Sequence, residues 1–438
     1  MSKEIRQARR KRIFDAVRKR PPAALAPPDT SDPAMIAAML REVGIALVEV
    51  AQPTPIVEAR LTRIAAQYTT EPVRVVVLPT MLIVQVGDAA QIDGSTHSSL
   101  QLDAAGRIDD IASLAEAGAI SPTDAVTAIA EARLMRPRFG PVATTVGYAV
   151  TTLGFGMMIN PTWSALPAYI FLGLVVGTTV QLGRPLPSLI PILPTLSAMM
   201  VTLLATWFVA DTADDGLLEI ISPSLVAILP GMALTTGAME LASSQIISGA
   251  SRLTYGLSQL ALLVFGVVMG VHIAGEVDPQ TPSAQMGEWS LYVAIIVVAV
   301  GLWVYLSAPA GSLFWLMGAI AVALIGQQFA ERLTGASHSG FVGAMLSVPF
   351  AMLATRIRTS PPAIVMMLAS FYSLVPGALS FMSLGEAATG GNPNAASLGA
   401  AGTAILSIAL GTLVGWSVFG TIASRLPWPK RLAQPTVR

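Results

Sequence analysis

Two runs of this sequence set a helix breaker, hydroxyl side chains and an acid at matched spacing among apolar residues. The first reads Leu229-Pro230-Gly231, then Thr235 and Thr236, then Glu240. The second reads Val375-Pro376-Gly377, then Ser380, then Glu386. Proline removes a backbone donor and crowds the preceding turn, while glycine frees the backbone, so each pair can split a helix in mid-course. A half-helix that begins there offers free N–H groups and a partial positive charge, a seat for a carboxylate. The half that ends there offers carbonyl oxygens, which suit a cation or an ammonium group. Pro230, Gly231, Thr235, Thr236, Pro376, Gly377 and Ser380 are therefore the candidate substrate-binding residues. A bent helix without a ligand is the plainer account of either pair alone. Recurrence at the same place in two halves favours a binding site.

Each acid lies about 15 Å beyond its proline if the intervening residues are helical, at a rise of about 1.5 Å per residue. A carboxylate at that depth, near a membrane face, can be desolvated and can carry a proton in each cycle. Glu240 and Glu386 are the proton-coupling candidates, with a solvated helix end as the alternative for each. Arg252, twelve residues past Glu240, is either its charge partner or a basic anchor at the membrane face.

Other chemistry is excluded or thinly supported. The chain has no cysteine, and its three histidines (His97, His272 and His338) are far apart in sequence. Thiolate and histidine metal sites are therefore not expected, and neither is a cofactor. No Gly-x4-Gly-Lys-Ser/Thr loop is present to bind a nucleotide. The run Asp93-Gly94-Ser95-Thr96-His97-Ser98-Ser99 gathers an acid, a histidine and hydroxyls, but such residues also fill ordinary turns. No catalytic residue is assigned.

The elements that must hold these residues follow from hydropathy. The 438 residues are 53% hydrophobic and only 12% charged, with zero net charge and a mean hydropathy of +0.65. Ordinary soluble domains are about 25% charged. Most of the charge lies in residues 1–138. Beyond it come ten apolar stretches, at 140–159, 164–182, 187–210, 218–239, 253–274, 290–307, 311–329, 339–356, 362–384 and 399–422. Each is about long enough to cross a hydrocarbon core of roughly 30 Å.

With the N-terminus inside, eleven Lys/Arg residues fall at cytoplasmic ends and only Arg332 falls outside, which calls for an even number of spans. Five spans per half is odd, so the second half is inverted relative to the first. The expected fold is an α-helical polytopic membrane protein with ten transmembrane helices as a 5+5 inverted repeat and a small α+β cytoplasmic domain. Gly266-xxx-Gly270 in the fifth span matches Gly411-xxx-Gly415 in the tenth, each able to seat a close helix crossing.

The expected organisation is a basic arm and Pro/Ala linker over 1–29, a cytoplasmic domain over 30–138, membrane halves over 139–275 and 289–423, and a cytoplasmic tail over 424–438. In the front domain, Asp32 caps a helix running to about Val50, and Thr54-Pro55 opens another with Val57, Leu61, Ile64, Ala65 and Tyr68 on one face. Strands are expected at Val73–Leu78 and Met81–Val86, with a third at Ser98–Asp103. Ser121 opens a last helix that ends just before the first span.

The segments LREVGIALVEVAQPTPIVEARLTRIAAQY, VRVVVLPTMLIVQV and ILPGMALTTGAMELASSQIISGASRL, with the second-half LVPG, resemble the bacterial threonine/serine exporters over nearly the whole chain. The resemblance implies a cytoplasmic domain, ten spans, and export of small hydroxylated amino acids driven by the proton gradient. Thr236 and Glu240 stand roughly where the family pattern has an Asn and an acid. In some relatives the two halves are separate proteins linked to dicarboxylate efflux, which keeps a succinate-type exporter as an alternative. A membrane-anchored enzyme acting through residues 30–138 is the alternative from another class. The expected partners are a small-molecule substrate, protons and the lipid bilayer, with no nucleic acid, and a homo-oligomer stays open. The expected location is the cell membrane, multi-pass, with both termini cytoplasmic.

Overall fold

The computed structural model describes residues 19, 24–25, 32–95, 101–183, 185–209, 216–275, 284–388 and 395–425. Its first unit is a small α/β layer. Helix α1 (Pro33–Glu49) starts where the Asp32 carboxylate accepts the Ala34 N–H, and α2 (Thr54–Tyr68) follows a tight turn. Strands β1 (Val73–Val77), β2 (Met81–Val86) and β3 (Ala89–Gly94) form an antiparallel meander, with Val75 opposite Val84 and Ile83 opposite Ile92. The β2–β3 turn needs Gly87, whose φ of +55° a side chain would resist. Helices α3 (Leu102–Glu116) and α4 (Pro122–Arg133) complete the unit, and α4 is capped by the Ser121 hydroxyl. Ile36, Leu40, Val43, Leu47, Leu61, Leu82 and Val84 make its dry core.

This differs from expectation at one strand. Leu102 and Asp103 open α3 rather than closing a strand, and the third strand lies earlier, at β3. Residues 96–100, which include most of the hydroxyl-rich run, are outside the described residues.

The rest of the described chain is helical. Helices α5 (Pro141–Ile159), α6 (Leu166–Gly183) and α7 (Leu193–Phe208) are followed by α8 (Leu217–Leu225), a 3-10 turn at Val226–Ile228, and α9 (Gly231–Ala242). Then come α10 (Ile246–Ala274), α11 (Ser290–Tyr305), α12 (Leu313–Thr334), α13 (Ala336–Ala354), α14 (Ala363–Ser373), α15 (Pro376–Ala388) and α16 (Ala395–Arg425).

Among the described residues, six helical segments are long and apolar enough to cross a membrane, and the bent pair ending at Ile228 and starting at Gly231 makes a seventh. Three shorter apolar helices, Leu193–Phe208, Ser290–Tyr305 and His338–Ala354, lie among them. Large apolar side chains such as Val142, Phe265, Phe314 and Leu333 point outward, which suits lipid and would be costly in water. The molecule is thus a mostly helical, multi-pass membrane protein with a small three-stranded sheet at its front.

Small residues fix the helix crossings. A methyl group added at Gly154 would lie 2.8 Å from the Val298 nitrogen, so α5 and α11 touch backbone to backbone. Gly266 and Gly270 sit on Thr195, Met199 and Thr202 of α7, while Gly411 and Gly415 sit on Phe341, Met345 and Val348 of α13. The two GxxxG pairs therefore serve the same kind of crossing at corresponding places in the chain.

Candidate functional site

The site is built from two helix breaks that face each other. In the first, α8 ends in the 3-10 turn, Leu229 becomes extended, and α9 departs at 65° from the first line. In the second, α14 ends at Ser373, Val375 is held at φ +46°, and α15 starts at Pro376. A β-branched residue in the left-handed region is strained, at a cost of about 1–3 kcal/mol, so packing around Val375 must enforce that geometry. The breaks meet at Gly377. A methyl group there would lie 3.2 Å from Leu229 Cβ and 3.4 Å from the Gly231 nitrogen. A side chain at Gly377 would crowd Leu229 by a few tenths of an ångström, so glycine eases the close approach of the first turns of α9 and α15.

Two half-helix N-termini therefore converge inside the bundle. Among the described residues neither Gly231 nor its neighbour Met232 finds a backbone acceptor for its N–H, and Pro230 supplies no side-chain cap. Around them lie buried hydroxyls. Thr235 is 3% exposed and Ser380 is 7% exposed, and the oxygens of both are buried without a hydrogen-bond partner. Ser370, on the last turns of α14, is buried and unpartnered in the same way, and Thr236 is buried. Buried hydroxyls normally find a partner, because an unmet one costs about 1–3 kcal/mol. Among the described residues these unpartnered hydroxyls lie close in sequence to the starts of α9 and α15, and the start of α9 has no side-chain cap. Tyr148, whose hydroxyl donates to the Ser224 carbonyl shortly before the first break, meets Tyr305 edge to face at 4.9 Å.

The two acids are placed very differently. Glu240 has no exposed surface, and its Oε2 lies 3.1 Å from Arg252 Nε. Its Oε1 accepts the backbone N–H of Thr54, the first residue of α2, at 2.9 Å. That bond is charge-assisted and sits at the positive end of a 15-residue helix. Gln245 then donates to Glu58, one turn further along α2, at 3.3 Å. Arg252 is thus a charge partner in this structure, and the acid of the first break is held by the front domain. Glu386, by contrast, is exposed near the end of α15.

Sequence reasoning missed Thr54. The donor is a backbone N–H, which nearly every residue possesses, and 186 positions separate it from its acceptor. The only advance signal was the Thr54-Pro55 helix start, which implies an N-terminus in need of an acceptor. Among the described residues no group of His, Asp and Glu could hold a metal ion.

A family model described as "Putative threonine/serine exporter" (ThrE) matches residues 38–274, which take in most of the front domain, the first break and Glu240. The chain belongs to the threonine/serine exporter family. Searches of curated proteins and of solved structures returned no match. Because the ThrE family is one of membrane exporters and not of enzymes, the reading of residues 30–138 as an anchored enzyme is set aside. The matched stretch ends at the close of α10, so the facing break at Val375–Gly377 enters the site through the structure.

Proposed function

We propose that this ThrE-family protein exports threonine, serine or a close relative by alternating access at the crossing of the two breaks. The observation that carries the proposal is the meeting of Gly377 with Leu229 and Gly231 among unpartnered buried hydroxyls. A small hydroxylated zwitterion fits that chemistry. Its carboxylate would take the free N–H groups at the start of α9 and α15, and its ammonium the carbonyls that end the preceding halves. Thr235, Thr236 or Ser380 would bond its hydroxyl.

The membrane arrangement we propose is ten spans as a 5+5 inverted repeat, with both termini in the cytoplasm. The six long helices, the bent pair and the three shorter ones occupy the ten expected positions. Contacts across the bundle support the orientation. The front domain touches Glu240, Gln245, Leu306, Ser307, Pro309 and Pro362, all at ends that Lys/Arg counting assigns to the cytoplasm. On the opposite face Trp163 packs on Trp289, and Met286 donates to Pro161, joining two segments assigned outside. The matched use of the two GxxxG pairs supports the repeat.

For proton coupling we assign Glu240 ahead of Glu386. Glu240 is dry and paired with Arg252, whereas Glu386 already meets solvent. The deciding measurement is export of labelled threonine and serine from proteoliposomes, with and without a pH gradient, in competition with succinate. Accumulation of threonine or serine that tracks the gradient is expected. Selective competition by succinate would make this a dicarboxylate exporter, and flux without accumulation would make it a channel.

A further inference from the structure

The front domain holds the membrane part at two places of opposite character. One is polar and lies on the first break. There the start of α2 bonds Glu240, and Glu58 bonds Gln245. The other lies between α11 and α14. There the start of α3 donates its Leu102 and Asp103 N–H groups to the Leu306 and Ser307 carbonyls, at 2.8 and 3.2 Å. Leu102 is fully buried with Leu306, Ala308, Ile364 and Val365, and Gly106 packs on Pro309, Pro362 and Val365. A rigid body fastened to both halves on one face prevents them from moving apart on that face.

We infer that the front domain is the inner gate of the exporter, riding permanently on α11 and α14 through α3 and releasing α9–α10 at the Glu240 contact in each cycle; this rests on the alternating-access reading. The difference between the two contacts decides which one opens. The α3 contact is backbone bonding and dry apolar packing, and the short link from α4 into α5, which lies backbone to backbone on α11, keeps the domain there. The α2 contact confines a carboxylate, a guanidinium and, among the described residues, two polar atoms without partners, Thr54 Oγ1 and Arg252 Nη2. Water would satisfy all of these on opening, so separation there is offset by hydration, while separation at α3 exposes apolar surface with no such return. While α2 is docked, Glu240 has no surface open to solvent, so release of the gate also exposes the acid assigned to coupling.

The chain has no cysteine, so introduced pairs report cleanly. In reconstituted full-length protein, Glu58→Cys with Gln245→Cys, joined by a reducible bifunctional thiol cross-linker, is expected to cut labelled threonine export by about tenfold or more, with recovery on reduction. Gly106→Cys with Pro309→Cys, joined in the same way, is expected to keep export within about twofold. Full export with the first pair locked, or equal loss with both, overturns the inference. Spin labels on the first pair give a readout independent of transport: two distance populations are expected, and a single short one overturns the inference. If the reduced proteins move neither threonine nor serine, the exporter reading fails, and the distance measurement still decides whether the contact opens.

Discussion

Thr235 and Ser380 are the hydroxyls proposed to meet the substrate. Each is buried, and among the described residues each lacks a partner that would offset the loss of water. Thr235→Val keeps the shape and removes the unmet oxygen. The variant should therefore melt no lower than the parent, while its KM for threonine rises about tenfold, the equivalent of about 1.4 kcal/mol of lost binding. A structural hydroxyl gives the reverse pattern, so an unchanged KM with a lowered melting temperature removes Thr235 from the site. Glu240→Gln tests a second residue. The amide keeps an oxygen for the Thr54 N–H but cannot take up and release a proton. Export should lose its response to the pH gradient, and a variant that responds like the parent ends the assignment of coupling to Glu240.

At the scale of elements, the front domain depends on one buried charge cluster that joins α2 to α3. Arg60 is nearly buried, pairs with Asp109, and meets Glu116 at 2.5 Å. Burial pulls its pKa down, and the two carboxylates more than offset this and leave it raised. Breaking such a cluster from one side leaves uncompensated charge behind, so Arg60→Ala should destabilise the front domain by about 3–5 kcal/mol. Hydrogen exchange in the full-length protein measures this as loss of protection across α2 and α3, and protection equal to the parent's would show the cluster is dispensable.

The same elements show what a sequence can disclose. Helix α1 was legible from Asp32 and Pro33, α4 from Ser121, and β1 and β2 from their β-branched runs. Helix α3 was not, because Gln101 at its start makes no side-chain cap to announce it. Strand β3, reading AAQIDG, has Ile92 as its one residue that favours strands, beside Asp and Gly that disfavour them. Both Pro-Gly breaks could be seen, since proline and glycine act locally. Their contact, and the grip of α2 on Glu240, could not, since each depends on long-range packing.

At the scale of the whole molecule, the proposed inverted repeat rests on which loops share a face. Helix α13 is short for a span, 19 residues including the turn that opens it, or about 28 Å at a rise of 1.5 Å per residue. If it crosses the membrane, His338 and Arg358 lie on opposite sides although only twenty residues apart. If it does not, every helix after it reverses direction, and the two breaks no longer approach from opposite faces. Four exposed positions decide the matter in a chain free of cysteine. Glu288→Cys and His338→Cys should react with an impermeant maleimide on intact cells. Ser244→Cys and Arg358→Cys should react only after the membrane is opened. Labelling of positions 338 and 358 from the same side would place α13 within one leaflet and remove the second half's inversion, and with it the mechanism in which two opposed half-helices release substrate alternately to either side.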